Sequence, residues 1–350
     1  MNSYSVLGLM SGTSLDGVDL VHCTLHASGL FSFELHTART YAYASRWKLI
    51  LTHAHTWPLE KIKTLDKEYT VLLSEYILRF IDENQIKHID FIASHGHTVL
   101  HQPENGLTYQ IGNSPKLAQL THHKVVCDFR VEDVALGGQG APLVPVGDRL
   151  FFGEFDACVN LGGFANISFE TQYGRMAYDI CPVNKVLNFY ANKLGKEFDQ
   201  SGAIAKASVL NPELLSQLKQ LQFYSKTPPK SLGIEWLEAN FLPLLDQAGF
   251  NSEEIIATCT HHFAYQIAKA ISGHKTVLFT GGGAFNTYLM ELISMQSSAE
   301  IVIPSADVIN YKEALIFALL GVLKVRGDVN ILSSVTGASK DHSAGLIYCP

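Results

Sequence analysis

A run of small and acidic residues between two apolar segments is the first place where the chain could do chemistry. Apolar residues from Tyr4 to Met10 precede the turn Ser11-Gly12-Thr13-Ser14-Leu15-Asp16-Gly17, and a second apolar strand follows from Val18 to Leu25. Backbone N–H groups and hydroxyls in such a turn could hold phosphate oxygens. Asp16 and Asp19 could orient a magnesium-bound water or a sugar hydroxyl, since Mg²⁺ favours oxygen ligands and keeps several of its waters.

This turn is not a Walker A loop, because no Lys follows the glycines and no helix is predicted directly after them. A plain β-turn with side-chain hydrogen bonds to its own backbone explains the same residues. The spacing alone leaves both interpretations open.

Two histidines lie in the run Ser94-His95-Gly96-His97-Thr98, which follows an apolar strand predicted near residues 89–94. The ends of strands in α/β proteins commonly carry ligand contacts, so this segment could form hydrogen bonds to a polar substrate. A pair of surface or capping histidines is the alternative. A zinc site is not expected, because no third ligand stands at a recognisable spacing.

Arg130 lies in a segment, Cys127 to Pro145, that becomes rich in glycine and proline. Its guanidinium could clamp an anionic group of a substrate through two parallel hydrogen bonds. An Arg–Asp pair that stabilises a domain junction is an equal alternative.

Two carboxylates further along the chain could act in proton transfer. Asp179 is predicted to close a strand, just before Pro182 and a helix that begins near Val183, and a general base needs only hydrogen-bond reach of the proton it takes. Glu313 lies early in a late apolar helix. The alternative for each is an acidic residue near a helix N-terminus, where it favours the helix dipole.

The elements that must position these residues repeat along the chain. The strand, turn and strand at residues 4–25 are echoed by Ala157 to Leu161, Gly162 and Gly163, then Phe164 to Phe169. Two such units predict two related halves, each opening with a hairpin. A third strand, Thr276 to Thr280, runs into Gly281, Gly282 and Gly283 before a predicted helix, an order that suits a backbone passing close to a ligand.

The remaining pattern alternates helices and strands, which predicts α/β layers with mixed sheets. Helices are predicted near residues 59–83, 114–122, 183–193, 211–221, 252–271 and 310–325, and short strands near 89–94, 107–111, 124–128 and 299–303. The length of 350 residues predicts two domains. We place them at residues 1–130 and 131–350, with the late helix packing back toward the first domain.

Composition excludes several functional classes. The formal charge of −7 gives no general attraction to nucleic acid or to an anionic membrane. The six cysteines include no C-x-x-C pair, so neither a zinc ribbon nor a redox pair is expected, and Cys127 and Cys158 are predicted to be small buried residues. The N-terminal apolar run is too short for a signal peptide, and no apolar stretch is long enough to cross a membrane. The sequence therefore predicts a cytoplasmic protein.

Taken together, these segments closely resemble the anhydro-N-acetylmuramic acid kinase family over essentially the whole chain. The matching stretches, in order, are GLMSGTSLDGVD, SHGHTVLHQP, TYQIGN, CDFRVEDVALGGQGAPLVP, NLGGFANISF, AYDICPVN, TGGGAFN, KEALIFALL and SSVTGA. The first and fourth are long, and a chance match to both in this order is very improbable.

The resemblance implies a two-domain, actin-like (ribonuclease H-like) ATPase fold of the α/β class, with mixed sheets flanked by helices and a cleft between the domains. It implies ATP and Mg²⁺ as cofactors, with the ATP phosphates held between two hairpin loops. The implied reaction opens the 1,6-anhydro ring of a sugar substrate with water and phosphorylates O6, in the recycling of cell-wall peptidoglycan. No nucleic-acid or membrane partner is implied, and a homodimer is possible.

The resemblance also carries residue roles. Asp179 falls on the catalytic base, which takes a proton from the water that attacks the anomeric carbon. The substrate-binding positions are Thr13, Asp16, His97, Arg130 and Glu313. The cofactor-binding positions are Gly12, Thr13, Ser14, Leu15, Asp16, Gly17, Val18, Asp19, Asn160, Gly162, Gly163, Gly281, Gly282 and Gly283.

The chain departs from the family pattern at a few positions. His97 stands where many relatives have Gln, and Ile180-Cys181 stand where the family often has Thr-Gly. Gly147-Asp148 replace a common His, and Asn188 replaces an Asp. These differences indicate a divergent branch that keeps the proposed base and the phosphate loops.

Two other functions fit parts of the sequence. A glycoside hydrolase could use Asp179 and Glu313 as paired carboxylates without ATP, but it leaves the three glycine-rich loops without a purpose. A nucleotide-gated switch of the actin-like chaperone type would bind nucleotide and hydrolyse it slowly without sugar. The chain has no additional segment for a peptide-binding domain, which counts against the switch.

Overall fold

The computed structural model describes residues 3–12, 14–246 and 249–350. The chain divides into two compact units: unit 1 comprises Met1–Phe151 and Tyr311–Pro350, and unit 2 comprises Phe152–Asn310. The division at Phe151 lies beyond the boundary predicted at residue 130, because Leu143 and Val146 are buried in the same core as strands of unit 1. From Tyr311 onward, the late helix also belongs to unit 1.

Strands in the described residues form two sheets. They are β1 (Ser3–Ser11), β2 (Gly17–His26), β3 (Ser32–Ala42), β4 (Phe91–Gln102), β5 (Leu107–Ile111), β6 (Val125–Cys127), β7 (Ala157–Leu161), β8 (Phe164–Thr171), β9 (Gly174–Pro182), β10 (Thr276–Thr280), β11 (Glu300–Val302) and β12 (Leu346–Tyr348).

The α-helices flank these sheets. They are α1 (Ser45–His53), α2 (Leu59–Glu83), α3 (Pro115–Thr121), α4 (Val131–Ala135), α5 (Pro145–Phe151), α6 (Asn184–Lys193), α7 (Ala203–Ala207), α8 (Pro212–Lys219), α9 (Ile234–Trp236), α10 (Leu242–Leu245), α11 (Ser252–Ala270), α12 (Thr287–Met295), α13 (Ala306–Arg326) and α14 (Ser333–Thr336).

The sheet of unit 1 has the order β12-β6-β4-β1-β2-β3, with β5 paired to β4. β1, β2 and β3 are antiparallel neighbours, whereas β4 runs parallel to both β1 and β6. Side chains alternate across this sheet, so Val6 packs with α13 on one face while Leu7 packs with α2 on the other. Helix α13 lies very close to β1: a Cβ on Gly8 would stand 2.2 Å from the Ala314 carbonyl oxygen.

The sheet of unit 2 has the order β11-β10-β7-β8-β9. β7, β8 and β9 are antiparallel neighbours, and β10 runs parallel to both β7 and β11. Its core brings strand residues such as Val159 and Ile167 together with buried residues of α6 and α11. The capping box at Asn251 and Glu254 starts α11 by satisfying backbone donors at its N-terminus.

The two sheets therefore share one plan. The order β3-β2-β1-β4-β6 in unit 1 is repeated as β9-β8-β7-β10-β11 in unit 2, with the same parallel and antiparallel relations. The predicted α/β fold class, with two mixed sheets flanked by helices, is confirmed. The repeated strand order agrees with the two related halves inferred from the sequence echo.

Most predicted elements are found within a few residues of their expected bounds. One strand differs more: the strand predicted near residues 89–94 is β4, which continues to Gln102 because its second half pairs with β5. Helix α12 begins at Thr287, after a 3₁₀ turn at Gly282–Phe285, rather than directly after the three glycines as predicted. Strand β3 was not predicted, since its exposed edge position gives it few apolar residues.

Two further expectations concern the burial of two cysteines and membrane-spanning segments. Cys127 and Cys158 are both buried, as predicted. No helix in the described ranges is long and apolar enough to cross a membrane.

Candidate active site

The turn between β1 and β2 carries the first predicted phosphate loop. Gly12 is half-buried, Ser14 and Asp16 are exposed, and Leu15 adopts φ 60°. Thr13, predicted to bind both substrate and cofactor, lies outside the described residues. The Leu15 N–H donates to the Gly12 carbonyl at 3.4 Å, and the Tyr43 N–H donates to the Asp16 carbonyl at 3.3 Å. The turn therefore presents short polar side chains to solvent from a fixed hairpin.

The last three residues of the predicted loop lie inside strand β2. A Cβ at Gly17 would meet the Tyr41 carbonyl oxygen at 2.3 Å, so glycine lets β2 and β3 approach. The Val18 side chain is buried in the core, so it contributes packing at this position. Asp19 is half-buried, and its Oδ1 accepts a hydrogen bond from Thr40 Oγ1 at 2.6 Å.

Asp19 belongs to a group of acidic residues in unit 1. Its pKa is raised to about 6, chiefly by burial and also by the charges of Glu313 and Asp16, while the hydrogen bond from Thr40 opposes these effects. Carboxylates that repel one another in this way suit a hydrated Mg²⁺, which is commonly held by one or two carboxylates plus phosphate oxygens. No set of three potential ligands that could hold a metal on its own occurs among the described residues.

Arg130 is held in place by hydrogen bonds to uncharged groups. Its Nε donates to His95 Nε2 at 2.9 Å, and its Nη1 donates to the Gly140 carbonyl. Burial lowers the pKa of Arg130 to about 10, while the charge of Glu313 raises it. Arg130 forms no ion pair with any described residue, so the predicted alternative of an Arg–Asp pair is not found.

His95 is a positioning residue to which the family pattern gave no role. It is buried, its Nδ1 lies 3.0 Å from the Gly96 carbonyl oxygen, and its ring packs 4.7 Å from that of Phe317. Donation from Nδ1 to that carbonyl leaves Nε2 free to accept from Arg130. Burial and the charge of Arg130 hold the pKa of His95 well below its usual range, so the ring is neutral.

His97 is part of a buried hydrogen-bonded chain. Its Nδ1 lies 2.8 Å from Ser11 Oγ, which lies 2.7 Å from the Tyr43 hydroxyl, and that hydroxyl lies 2.5 Å from the hydroxyl of Tyr69. Burial lowers the pKa of His97 to about 4. His97 therefore acts as a neutral hydrogen-bonding group next to the end of β1, and both histidines are buried rather than on the surface.

Glu313 lies on α13, beside a buried ion pair between Lys312 Nζ and Asp148 Oδ1 at 2.7 Å. The Glu313 side chain keeps exposed surface, yet the protein packed around it raises the pKa of its carboxyl, against the opposing charges of Arg130 and Lys312. Glu313 stands eight positions into the 21-residue α13, so it is not the first-turn acid of the alternative interpretation.

The second predicted phosphate loop, in unit 2, joins β7 to β8. The carbonyls of Gly162 and Gly163 accept hydrogen bonds from Asn184, Lys185 and Val183 at the start of α6, at 2.9–3.3 Å. In the described part of the chain, the N–H groups of Gly162 and Gly163 donate to no protein acceptor. Those two N–H groups are therefore free to bind an anion.

The glycine cluster after β10 packs against the same loop. Gly281 adopts φ 80°, and a Cβ there would stand 2.6 Å from Asn160 Oδ1. A Cβ at Gly283 would meet Leu161 Cβ at 2.7 Å, whereas nothing lies within 4 Å of one at Gly282. Asn160 pairs with Thr280 in the parallel register of β7 and β10. Unit 2 thus brings Asn160 and the Gly281–Gly283 cluster, distant in sequence, onto one surface.

Asp179 is bound on one side by a loop that the sequence did not associate with it. Its Oδ2 accepts a hydrogen bond from the Leu232 N–H at 2.7 Å, and its own N–H donates to the Lys230 carbonyl at 2.9 Å. Burial raises the pKa of this carboxyl, and the Leu232 hydrogen bond partly opposes that effect. Asp179 lies within β9, before α6 begins at Asn184, so it does not cap that helix.

The two residues that depart from the family pattern next to Asp179 face the interior. Ile180 and Cys181 are both buried in the core of unit 2. Their effect on Asp179 is therefore through packing rather than through direct hydrogen bonds from their side chains.

Each unit therefore supplies its own chemistry. Unit 1 carries Arg130, a cation held by hydrogen bonds, together with two neutral histidines and a set of carboxylates. Unit 2 carries a half-buried carboxylate of raised pKa and a glycine-lined surface with free N–H groups. The first set can bind a polar anionic molecule, and the second can accept a proton and hold phosphate oxygens.

Some solved structures are similar to this chain at low sequence identity. Component A of the (R)-2-hydroxyglutaryl-CoA dehydratase of Acidaminococcus fermentans has a TM-score of 0.49 and 13% identity, with 92% of this chain and 99% of that chain covered. The activator of the 2-hydroxyisocaproyl-CoA dehydratase from Clostridium difficile has a TM-score of 0.46 and 14% identity, with 92% and 96% covered.

Sequence comparison gives closer relatives. The model of the family described as anhydro-N-acetylmuramic acid kinase matches residues 4–350. Proteins with that name from Shewanella putrefaciens and Idiomarina loihiensis are 34% and 33% identical, covering 98% and 95% of this chain and the same shares of the relatives. The one from Vibrio cholerae is 33% identical, with 98% of each chain covered. The chain therefore belongs to the anhydro-N-acetylmuramic acid kinase family.

Proposed function

We propose that this protein uses ATP and water to open the 1,6-anhydro ring of 1,6-anhydro-N-acetylmuramic acid and to phosphorylate O6. The products are N-acetylmuramic acid 6-phosphate and ADP. The observation that carries this proposal is Asp179, a half-buried carboxylate whose pKa is raised and whose one oxygen is fixed by the Leu232 N–H. Membership of the family supports the identity of the sugar.

Asp179 is the proposed general base. Its Oδ2 is oriented by Leu232, which leaves Oδ1 to accept a proton from water. The water oxygen then forms a bond to the anomeric carbon C1, and the bond from C1 to O6 breaks. O6 attacks the γ-phosphorus of ATP, ADP leaves, and the proton on Asp179 returns to solvent. Burial assists this role, because a carboxylate of raised pKa is a stronger base near neutral pH.

Unit 1 is proposed to recognise the sugar. The Arg130 guanidinium, held by His95 and Gly140, is suited to the carboxylate of the lactyl group. Glu313, Asp16 and His97 provide acceptors and a neutral hydrogen-bonding ring for hydroxyl and amide groups. Thr13 is proposed to contact the sugar as well, from the family pattern alone.

The glycine-rich loops are proposed to bind ATP. Phosphate oxygens would accept from N–H groups of the Gly12–Asp19 turn, with its Ser14 hydroxyl, and from the free N–H groups of Gly162 and Gly163. The Gly281–Gly283 cluster, beside Asn160, is proposed to border the adenosine. Asp16 and Asp19 would hold Mg²⁺ through its waters, and this ion neutralises charge on the phosphates in phosphoryl transfer.

This activity would place the protein in the recycling of cell-wall peptidoglycan, in the cytoplasm. The first test is coupled ADP release from the purified protein with ATP and Mg²⁺, with and without 1,6-anhydro-N-acetylmuramic acid, and identification of the product by mass spectrometry. We expect sugar-dependent ADP release and a product heavier than the substrate by one water and one phosphoryl group. Sugar turnover without ATP would establish a glycoside hydrolase instead, and slow sugar-independent ADP release would establish a nucleotide-gated switch.

A further inference from the structure

A cavity of about 500 Å³ lies within unit 2, and its lining includes no residue assigned above to the sugar or to ATP. Its volume is in the range of small-molecule sites. It is formed between α8, the 3₁₀ turn Gln222–Ser225 and the segment that contains α9 and α10. None of its lining residues has a role in the proposed reaction.

One wall of this cavity is aromatic. The rings of Phe223 and Trp236 lie 5.2 Å apart between centroids and are tilted by 52°. Phe223 is buried, whereas Trp236 keeps part of its surface exposed. An aromatic wall of this kind favours a ligand with one apolar face, such as the C–H face of a pyranose ring.

The rest of the lining is rich in amides. Gln217, Gln222 and Asn240 line the cavity, and amide side chains offer both donors and acceptors to sugar hydroxyls. Gln217 Oε1 is buried and accepts no hydrogen bond from the described residues. Asn240 Nδ2 donates to the Trp236 carbonyl at 3.1 Å, which leaves Asn240 Oδ1 available. An unsatisfied buried acceptor is costly, so a hydroxyl donor bound at Gln217 would be favourable.

A single cation determines the charge of the cavity. Lys226 is exposed at its edge and forms no ion pair within the described ranges. Among the described lining residues, none is acidic. The cavity therefore favours a ligand that carries a negative group.

The backbone at this cavity is unusual. Residues Leu237–Phe241 form a π-helical turn, which lies between α9 and α10 and contains Asn240. Such turns are rare and are frequently found at functional sites. Here the turn follows Trp236 directly, and both Trp236 and Asn240 line the cavity.

The aromatic wall is linked to the proposed general base through Lys230. Its Nζ donates to the Phe223 carbonyl at 3.1 Å and lies 4.6 Å from the centre of the Phe223 ring. The Lys230 carbonyl accepts from the Asp179 N–H, and Leu232, two residues later, donates to Asp179 Oδ2. A ligand that shifts Phe223 would therefore act on the segment that orients Asp179.

We propose that this cavity is a second ligand site, for a small pyranose sugar that carries a carboxylate or a phosphate, and that its occupancy alters turnover through the Lys230–Leu232 segment. The effect on turnover rests on the proposed kinase function, whereas ligand binding does not. The ring packs on Trp236 and Phe223, the amides bind its hydroxyls, and Lys226 binds the anion. Coupling between two sites is reciprocal, so substrate at Asp179 also changes the affinity of the cavity.

Binding is tested through Trp236, because the other two tryptophans, Trp47 and Trp57, belong to unit 1. The Trp47→Phe, Trp57→Phe protein is titrated with N-acetylmuramic acid, with N-acetylglucosamine 6-phosphate and with uncharged N-acetylglucosamine, while Trp236 fluorescence is followed. We expect a saturable change with at least one anionic sugar, at least about fivefold tighter than with the uncharged sugar. The two anionic probes distinguish a carboxylate from a phosphate ligand.

Lys226→Gln is the decisive variant, and Lys196→Gln, which changes an exposed lysine elsewhere in unit 2, is its matched control. We expect Lys226→Gln to weaken binding of the anionic sugar at least about fivefold, and the control to leave it unchanged. The same titrations by saturation-transfer NMR on protein that keeps all three tryptophans repeat the comparison if the double substitution lowers stability. Absence of saturable binding up to about 10 mM, or equal affinity in Lys226→Gln and wild type, overturns the proposal.

A kinetic measurement separates this inference from the proposed function. The anionic sugar is expected to change kcat for the anhydrosugar in wild type and in Lys196→Gln, but not in Lys226→Gln. If the anionic sugar binds at Trp236 but the protein has no kinase activity, the proposed function is contradicted and the second site is supported. Confirmed kinase activity without any change in Trp236 fluorescence on titration would contradict the second site alone.

Discussion

The two units share a strand order but use its equivalent positions differently. In unit 1, the central strand β4 carries His95 and His97, which are buried and hydrogen-bonded to Arg130 and Ser11. In unit 2, the equivalent strand β10 is apolar and continues into Gly281–Gly283. Equivalent strands therefore position specific side chains in unit 1 and a glycine-rich backbone in unit 2.

The hairpin turns show the same contrast. The turn of unit 1 presents Ser14 and Asp16, with Asp19 on the strand that follows, whereas the turn of unit 2 is reduced to Gly162 and Gly163. The third strands differ as well: Thr40 on β3 supports Asp19, whereas β9 carries Asp179 itself. The fold sets where a loop or strand lies, and side-chain identity at that position sets what it can do.

The largest expected effect tests whether the base belongs to unit 2. Asp179→Asn keeps the shape and the Leu232 hydrogen bond but removes the basic oxygen. We expect kcat to fall by about 10²-fold or more, with ATP and sugar affinities retained, in steady-state kinetics and calorimetry. The control is Asp307→Asn, an exposed acid of unit 2. Near wild-type kcat in Asp179→Asn would remove Asp179 from this role.

The next effect tests recognition by unit 1. Arg130→Lys loses the planar fork that His95 and Gly140 orient, so we expect kcat/KM for the anhydrosugar to fall by about 10- to 100-fold, mainly through KM. The exposed Arg46→Lys is the matched control and should behave as wild type. An unchanged KM in Arg130→Lys would contradict the assignment.

His95 can be examined in the same assay as a positioning residue. His95→Phe removes the acceptor for Arg130 Nε, and we expect kcat/KM to fall by about threefold to tenfold. Because His95 acts through Arg130, the His95→Phe change should add little to Arg130→Lys in a double-mutant cycle. Full additivity would show that His95 acts independently.

A smaller effect tests the close-packed backbone of unit 2. Gly281→Ala puts a Cβ at positive φ and against Asn160, so we expect the unfolding midpoint to fall by about 3–8 °C. Gly282→Ala, one position along in open space, should change it by no more than about 1 °C. Thermal unfolding of both variants makes the comparison, and equal midpoints would argue against this packing.

The smallest effect concerns Asp19. Its pKa is about 6 in the folded protein against an ordinary value of 3.8, so the folded state binds its proton more tightly. The stabilisation of the folded state that comes from proton binding at Asp19 is fully present below pH 3.8 and is lost as pH rises through about 6.

Between these pH values, wild type should therefore lose about 2 °C of unfolding midpoint relative to Asp19→Asn, a modest value because Asp19 is partly exposed. Asp307→Asn, the control, should follow wild type at each pH. Parallel curves for wild type and Asp19→Asn would show that burial does not raise this pKa.

Local patterns in the sequence predicted many elements. The apolar period of α2 predicted residues 59–83, and the structure has Leu59–Glu83. The end of β4 could not be predicted in this way, because residues 95–102 are mostly polar, and most of them are held in the sheet by pairing with β5. Likewise, a short polar run was enough to draw attention to both histidines, but nothing local distinguishes His95 as the partner of Arg130, 35 residues away.

The sequence by itself determined the family, the alternation of helices and strands, the repeated hairpins and the residue types available for chemistry. These follow from short-range periodicity, turn residues and motif order. Only the tertiary structure decided which groups meet: Leu232 with Asp179, His95 with Arg130, and Asn160 with Gly281. It also decided their charge states, because the pKa values of Asp19, His97 and Asp179 are shifted chiefly by burial, which depends on segments far apart in the chain.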